Sequence, residues 1–214
     1  MKSFCVLFSH GLSGTWLTWF INQHSGFPNR LDLAGEYSDP AFPDRITDYS
    51  TKADWWSNEQ SWKEFIAHVN KYDNSVNYDK VAFKVLPNHE FFGPEVDTEQ
   101  AQRNARHALV ESNSRQVIVP IVNTVFVEAM YNRLVAIRPQ MSINPKLKNW
   151  WNEELYTYIE EEINVPVLRL DIGKIFNVDD TEYNKLLKVL DVPALHNWKE
   201  IVNNCVDEIY GNYK

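Results

Sequence analysis

An α/β fold, with helices on both faces of a mostly parallel sheet, is what this sequence predicts, and three observations predict it. Short apolar runs without alternation recur along the chain, as strands buried on both faces require. Segments with apolar residues at helical spacing separate them, and strands alternating with helices are the signature of a parallel sheet. The 214 residues are 44% hydrophobic and 23% charged, a globular balance on a chain long enough to bury a full core. A single domain spanning residues 1–214 is therefore expected.

The elements follow in order. Residues 4–8, Phe-Cys-Val-Leu-Phe, form the first strand. Ser9-His10-Gly11-Leu12-Ser13-Gly14-Thr15 is rich in turn residues, and Trp16-Leu17-Thr18-Trp19-Phe20-Ile21-Asn22 resumes as an apolar helix that ends at Ser25-Gly26-Phe27-Pro28. Residues 27–60 lack periodicity and read as a long surface excursion. Ser61-Trp62-Lys63-Glu64 fits a capping box, and Trp62, Phe65, Ile66 and Val69 continue it as a helix to about Tyr72. Strands are predicted at 80–86, 117–122 and 165–170, each short, apolar and rich in branched residues. Helices lie between them, marked by Ala101, Ala105 and Leu109, by Phe126, Met130, Leu134 and Ile137, and by residues 150–163. Two more close the chain, one on Tyr183, Leu186, Leu187 and Leu190, the other with Trp198, Ile201, Val202, Cys205 and Ile209 on one face.

The formal charge of −8, with no cluster of Lys and Arg, argues against duplex nucleic acid as a partner. A small anion is still allowed, since a few backbone N–H groups and one or two cations suffice to hold it. The two cysteines, Cys5 and Cys205, sit in apolar segments and read as packed free thiols in a reducing compartment. The apolar run at the N-terminus is too short for a signal peptide, and no stretch approaches the ~20 apolar residues of a membrane helix, so the cytoplasm is expected and a membrane partner is not. Six scattered histidines without His-x-x-x-His or Cys-x-x-Cys spacing give no metal site.

In open α/β sheets ligands bind beyond the carboxyl ends of the strands, and a glycine loop opening a helix presents backbone N–H groups to an anion. The loop from Ser9 to Thr15 has that setting. Gly11 and Gly14 let the backbone turn and approach a phosphate, and Ser13 and Thr15 add hydroxyls. Gly14 is expected where a Cβ would strike the phosphate. No lysine follows Gly14, so the Walker pattern of nucleotide triphosphatases is absent. The plain alternative is a tight turn that merely connects strand and helix.

Ser13-Gly14-Thr15-Trp16-Leu17 resembles the Ser-Gly-Thr-Thr-Trp-Leu core of the phosphosulfate loop in sulfotransferases that use phosphoadenosine phosphosulfate (PAPS), shorter by one threonine; Leu12 stands where that family has a lysine. Phe83-Lys84-Val85-Leu86-Pro87 is similar to the family's strand and lysine turn facing the sulfuryl group. Residues 117–123, ending in Asn123, fall where the family has the strand leading to its 3′-phosphate segment, and Val167-Leu168-Arg169-Leu170-Asp171 resembles its late strand. The resemblance implies a P-loop, sulfotransferase-like architecture. It implies PAPS as cofactor, held by Gly11, Leu12, Ser13, Gly14, Thr15, Trp16 and Asn123, with Arg133 on the following helix within reach of a phosphate.

Sulfuryl transfer needs positive charge at the leaving phosphate and a base for the acceptor hydroxyl, for which a carbohydrate is the candidate acceptor. Lys84 is the candidate cation, and His10 and His89 are the candidate bases. Each has a plainer reading: Lys84 as a solvated strand end, His10 as a loop cap, His89 as a turn residue, Arg133 as a surface ion pair. The tryptophan pairs 55–56 and 150–151 offer stacking faces to a sugar or an adenine. A catalytically silent nucleotide-binding or protein-binding member of the same fold is the alternative function. An esterase, suggested by Ser9-His10-Gly11 after a strand, fails because no Gly-x-Ser-x-Gly elbow occurs.

Overall fold

Four parallel strands order the structure, a computed structural model that describes residues 2–8, 13–27, 80–85, 116–122, 126–137 and 159–211. Strands β1 (Lys2–Leu7), β2 (Lys80–Val85), β3 (Gln116–Ile121) and β4 (Val167–Asp171) lie in the order β2-β1-β3-β4. All three pairings are parallel. The strand ends fall within two residues of the apolar runs that predicted them. Phe4 to Leu7 in β1 and Val117 to Val119 in β3 are buried without a break, so both faces of the inner strands are covered.

The order of strand addition reverses at β1, because the chain adds β2 on one side of it and then returns to place β3 on the other. The β1–β3 ladder is short there. It runs from Phe4↔Gln116 to Val6↔Ile118 and stops, whereas β3 pairs with β4 as far as Ile121. Pro120 accounts for the difference. Val117 N–H donates to Pro166 O at 3.0 Å on the β4 side, and amides alternate sides along a strand, so position 120 faces β1. A proline there has no N–H to give, and the two strands part at their carboxyl ends.

Helix α1 (Gly14–Asn22) packs on β1 and β2. Its last residue seals the outer edge of β2: Asn22 Nδ2 donates to Ala82 O at 3.1 Å, and Ala82 N–H donates to Asn22 Oδ1 at 3.2 Å. An unpaired strand edge is thereby covered by a side-chain amide. Helix α2 (Phe126–Ile137) follows β3, and a π-helical turn (Ile159–Ile163) precedes β4. Arg169 on β4 reaches back to Glu160 of that turn at 2.9 Å, a half-exposed pair of small energetic weight.

Three helices complete the chain: α3 (Ile172–Phe176), α4 (Asp180–Leu190) and α5 (Trp198–Tyr210). Asp171 ends β4 and caps α3, its carboxylate accepting from Gly173 N at 3.0 Å and Lys174 N at 3.3 Å. Asp179 caps α4 in the same way through Thr181 N and Glu182 N. Helix α3 has no counterpart in the sequence reading, since a five-residue helix is too short to show a period. The expected stripes of the last two helices are present: Tyr183, Leu186 and Leu190 of α4, and Trp198, Val202 and Cys205 of α5, are buried. Ile201 is half-buried. The helices expected on residues 61–72 and around Ala101 to Leu109, the excursion from 28 to 60, and residues 150–158 lie outside the described residues.

Both cysteines are buried, and no disulfide joins them. Among the described residues no helix is long and apolar enough to cross a membrane.

Candidate functional site at the carboxyl end of β1

The carboxyl ends of β1 and β3 flank the point where the order of strand addition reverses, and this is where open α/β sheets receive ligands. Ser13 and helix α1 emerge from β1 there, and helix α2 emerges from β3.

Ser13 is the N-cap of α1 and makes the turn. Its φ of 54° and ψ of 27° are left-handed, a region that glycine enters freely and serine does at a cost of about 1–2 kcal/mol. The glycine at 14 was expected to supply the unusual backbone, yet Gly14 is helical and the strain sits one residue earlier. An N-cap serine ordinarily turns its hydroxyl back onto the first-turn amides. Ser13 does not. Its hydroxyl is hydrogen-bonded instead to the phenol of Tyr210, at the far end of the chain, and no side chain of the cap satisfies the helix. The first helical bond runs from Leu17 N to Ser13 O at 2.9 Å, so the amides of Gly14, Thr15 and Trp16 have no helical carbonyl to bond. They form the positive end of the α1 dipole.

Gly14 is required for packing. A Cβ built on it would lie 2.0–2.4 Å from the ring atoms of Phe8, which closes over the first turn. The expected collision with a phosphate is thus a collision with the protein's own phenyl ring. Trp16 likewise sends its indole into the core. It is 2% exposed, stacked on Phe20 with ring centroids 4.9 Å apart and edge-on to Phe176 at 5.0 Å. The backbone N–H of Trp16, not its ring, is what the residue has to offer a ligand.

Tyr210 is the residue that sequence reasoning missed. Its signal was legible, since it lies four residues after Val206 and eight after Val202 on the buried face of α5, and a tyrosine that ends such a stripe brings a hydroxyl with it. Its ring meets Phe176 at 5.4 Å and Phe126 at 6.3 Å. The Arg133 guanidinium, from α2, stands 5.7 Å above the ring centroid, within cation–π range. Burial pushes the phenol up to about 12, against the opposing pull of the Ser13 hydroxyl and the Arg133 charge, so it remains a neutral O–H at ordinary pH. Two of the expected site residues, Ser13 and Arg133, are brought to one place through Tyr210.

Lys84 lies in β2 one residue before its end, paired in register with Val6 of β1, so the two strands are neighbours. Its side chain, and that of Thr15, are not described. His10, Gly11, Leu12, His89 and Asn123 lie outside the described residues. Among the described residues no group of three or more His, Cys, Asp and Glu could hold a metal ion.

Compared with known protein families, curated proteins and solved structures, the chain matches none of them.

Proposed function

We propose that the chain is a sulfotransferase-like protein of P-loop architecture, a single cytoplasmic domain that moves a sulfuryl group from PAPS to a hydroxyl acceptor such as a carbohydrate. One observation carries this reading: the first-turn amides of α1 are left without a side-chain cap from Ser13 at the switch point of the sheet, within the segment Ser13-Gly14-Thr15-Trp16-Leu17. Uncapped amides at a helix N-terminus suit the oxygens of a phosphosulfate. In the reaction the acceptor oxygen forms a bond to sulfur, the bond from sulfur to the 5′-phosphate oxygen breaks, and the phosphate leaves with the electron pair. The acceptor proton goes to His10 or His89, and Lys84 balances the charge on the leaving phosphate. Asn123 and Arg133, after β3, are assigned to the nucleotide's 3′-phosphate.

A second reading, a silent nucleotide-binding or protein-binding member of the same fold, is favoured by the packing of the loop. Phe8 occupies the space above Gly14 and the Trp16 ring belongs to the core.

Calorimetry with adenosine 3′,5′-bisphosphate separates the two. Wild type should bind, and Arg133→Ala should weaken binding by roughly 10–100-fold, the value of one charge-assisted hydrogen bond. Turnover of labelled PAPS onto a panel of sugars then tests for transfer. No heat of binding at millimolar nucleotide removes the sulfotransferase reading; binding without turnover leaves the silent one.

A further inference from the structure

His24 is buried at the end of α1, only 2% exposed, and its hydrogen bonds fix its protonation. Nδ1 lies 3.1 Å from Phe20 O and 3.0 Å from Ile21 O. Both neighbours are carbonyl oxygens, which only accept, so Nδ1 carries the ring proton. Nε2 is then a bare lone pair. It faces the Tyr183 hydroxyl of α4 at 2.9 Å, and the phenol donates to it. The same phenol oxygen accepts the N–H of Leu195, in the connection between α4 and α5, at 3.0 Å. Five groups from three parts of the chain are joined in one directed series, and each donor has its acceptor. The series closes only while the imidazole is neutral.

We propose that His24 is a proton-sensitive latch: when neutral it holds Tyr183, and through it the segment that leads into α5, against α1, and when protonated it lets them go. A second proton would sit on Nε2 and point at the Tyr183 oxygen. The phenol would have to give up donating to the ring, and its own hydrogen would be stranded in a buried site. Among the described residues, the buried imidazolium would also have no carboxylate hydrogen-bonded to it.

Among the described residues, the charged groups on the elements packed around His24 either have partners elsewhere or, like Lys188, His196 and Glu200, are exposed. Helix α1 carries no acidic or basic residue in its terminal turns. On α4, Glu182 accepts from Asp171 N at 2.8 Å and pairs with Lys185 at 2.7 Å. On β2, Lys80 donates to Leu190 O and Asp191 O, and on β1 the Cys5 thiol is held neutral by burial. On α5, Lys199 pairs with Asp180 while Trp198 stacks on Tyr183 at 4.3 Å. The two carbonyls at the end of α1 favour the charged ring, but burial outweighs them and lowers the affinity for the proton.

The sign follows from linkage. The released state binds a proton with the ordinary histidine value of 6.5, and the latched state binds it only at lower pH. Release should therefore become about tenfold more favourable for each pH unit below that value, until the latched ring itself titrates.

Two measurements on wild type test the latch. Amide exchange at Leu195, corrected for the intrinsic rate, should lose protection by about tenfold per pH unit below 6.5, and the His24 ring resonance should titrate below the ordinary histidine range with Tyr183 moving in step. His24→Gln, whose amide can donate to Ile21 O and accept from Tyr183 without titrating, should flatten the pH dependence of Leu195 protection. Constant protection from pH 7.5 to pH 5, or a His24 ring that titrates normally without moving Leu195, would overturn the proposal even if the glutamine variant fails to fold.

Discussion

Gly14 and Ser13 divide between them a task the sequence had assigned to glycine alone. Gly14 is helical and admits Phe8, so Gly14→Ala sets two effects in opposition. Alanine favours a helix over glycine by about 1 kcal/mol, while a methyl placed 2.0 Å from a buried ring carbon forces the ring to move, and overpacking of this kind costs about 1–3 kcal/mol. Packing should win. Urea denaturation should show Gly14→Ala less stable than wild type, and Gly14→Val less stable still, whatever either does to ligand affinity. Phe8→Leu should recover part of the loss in the alanine background, a non-additivity that marks a direct contact. A Gly14→Ala protein more stable than wild type would show that helix propensity, and not Phe8, governs the position. The same pair explains what could be read in advance at this scale. Gly14 announces a constraint in any sequence, but whether the constraint is a ligand or a phenyl ring depends on Phe8, and the left-handed turn at Ser13 depends on a hydroxyl partner 197 residues away.

Elements were more legible than residues, because period and run length are local. The buried runs of β1 and β3 and the stripes on α2, α4 and α5 are written in neighbouring residues, and they appear where the periodicity puts them. The order of the strands is not local, and neither is the role of Pro120, which depends on which neighbour its nitrogen faces. Lys80 is a third non-local case. It opens β2, yet its ammonium donates to Leu190 O at 2.7 Å and to Asp191 O at 2.5 Å, where the final carbonyls of α4 collect the negative end of the helix dipole. Asp191 there is left-handed, with φ 55°, so the helix stops with its carbonyls turned toward the lysine. Lys80→Met keeps the aliphatic stem and removes the donors. The expected loss is about 1–2 kcal/mol in chemical denaturation, with faster amide exchange at Val192, whose N–H reaches Leu187 O at a long 3.4 Å. Unchanged stability with unchanged exchange would make the lysine contact incidental.

Across the whole molecule the two buried thiols report on different cooperative units. Cys5 is fully buried in β1, in register with Phe83 on one side and Val117 on the other, and burial lifts its thiol above the ordinary range. Reaching it requires the inner strands of the sheet to separate. Cys205 is also buried, but it sits on α5, which among the described residues packs on the helices α2 and α3. Opening α5 exposes Cys205 without breaking a β ladder, and openings that expose less surface have lower free energy and a weaker dependence on denaturant. A pyridyl disulfide reagent, which attacks buried thiols only through such openings, should modify Cys205 first under native conditions. Its rate should rise shallowly with urea, while that of Cys5 rises with the full slope of global unfolding. Cys5→Ser and Cys205→Ser variants assign the two phases. Equal rates with equal urea slopes would mean that the C-terminal helices and the sheet open as one unit, and that Tyr210 leaves Ser13 only when the whole fold is lost.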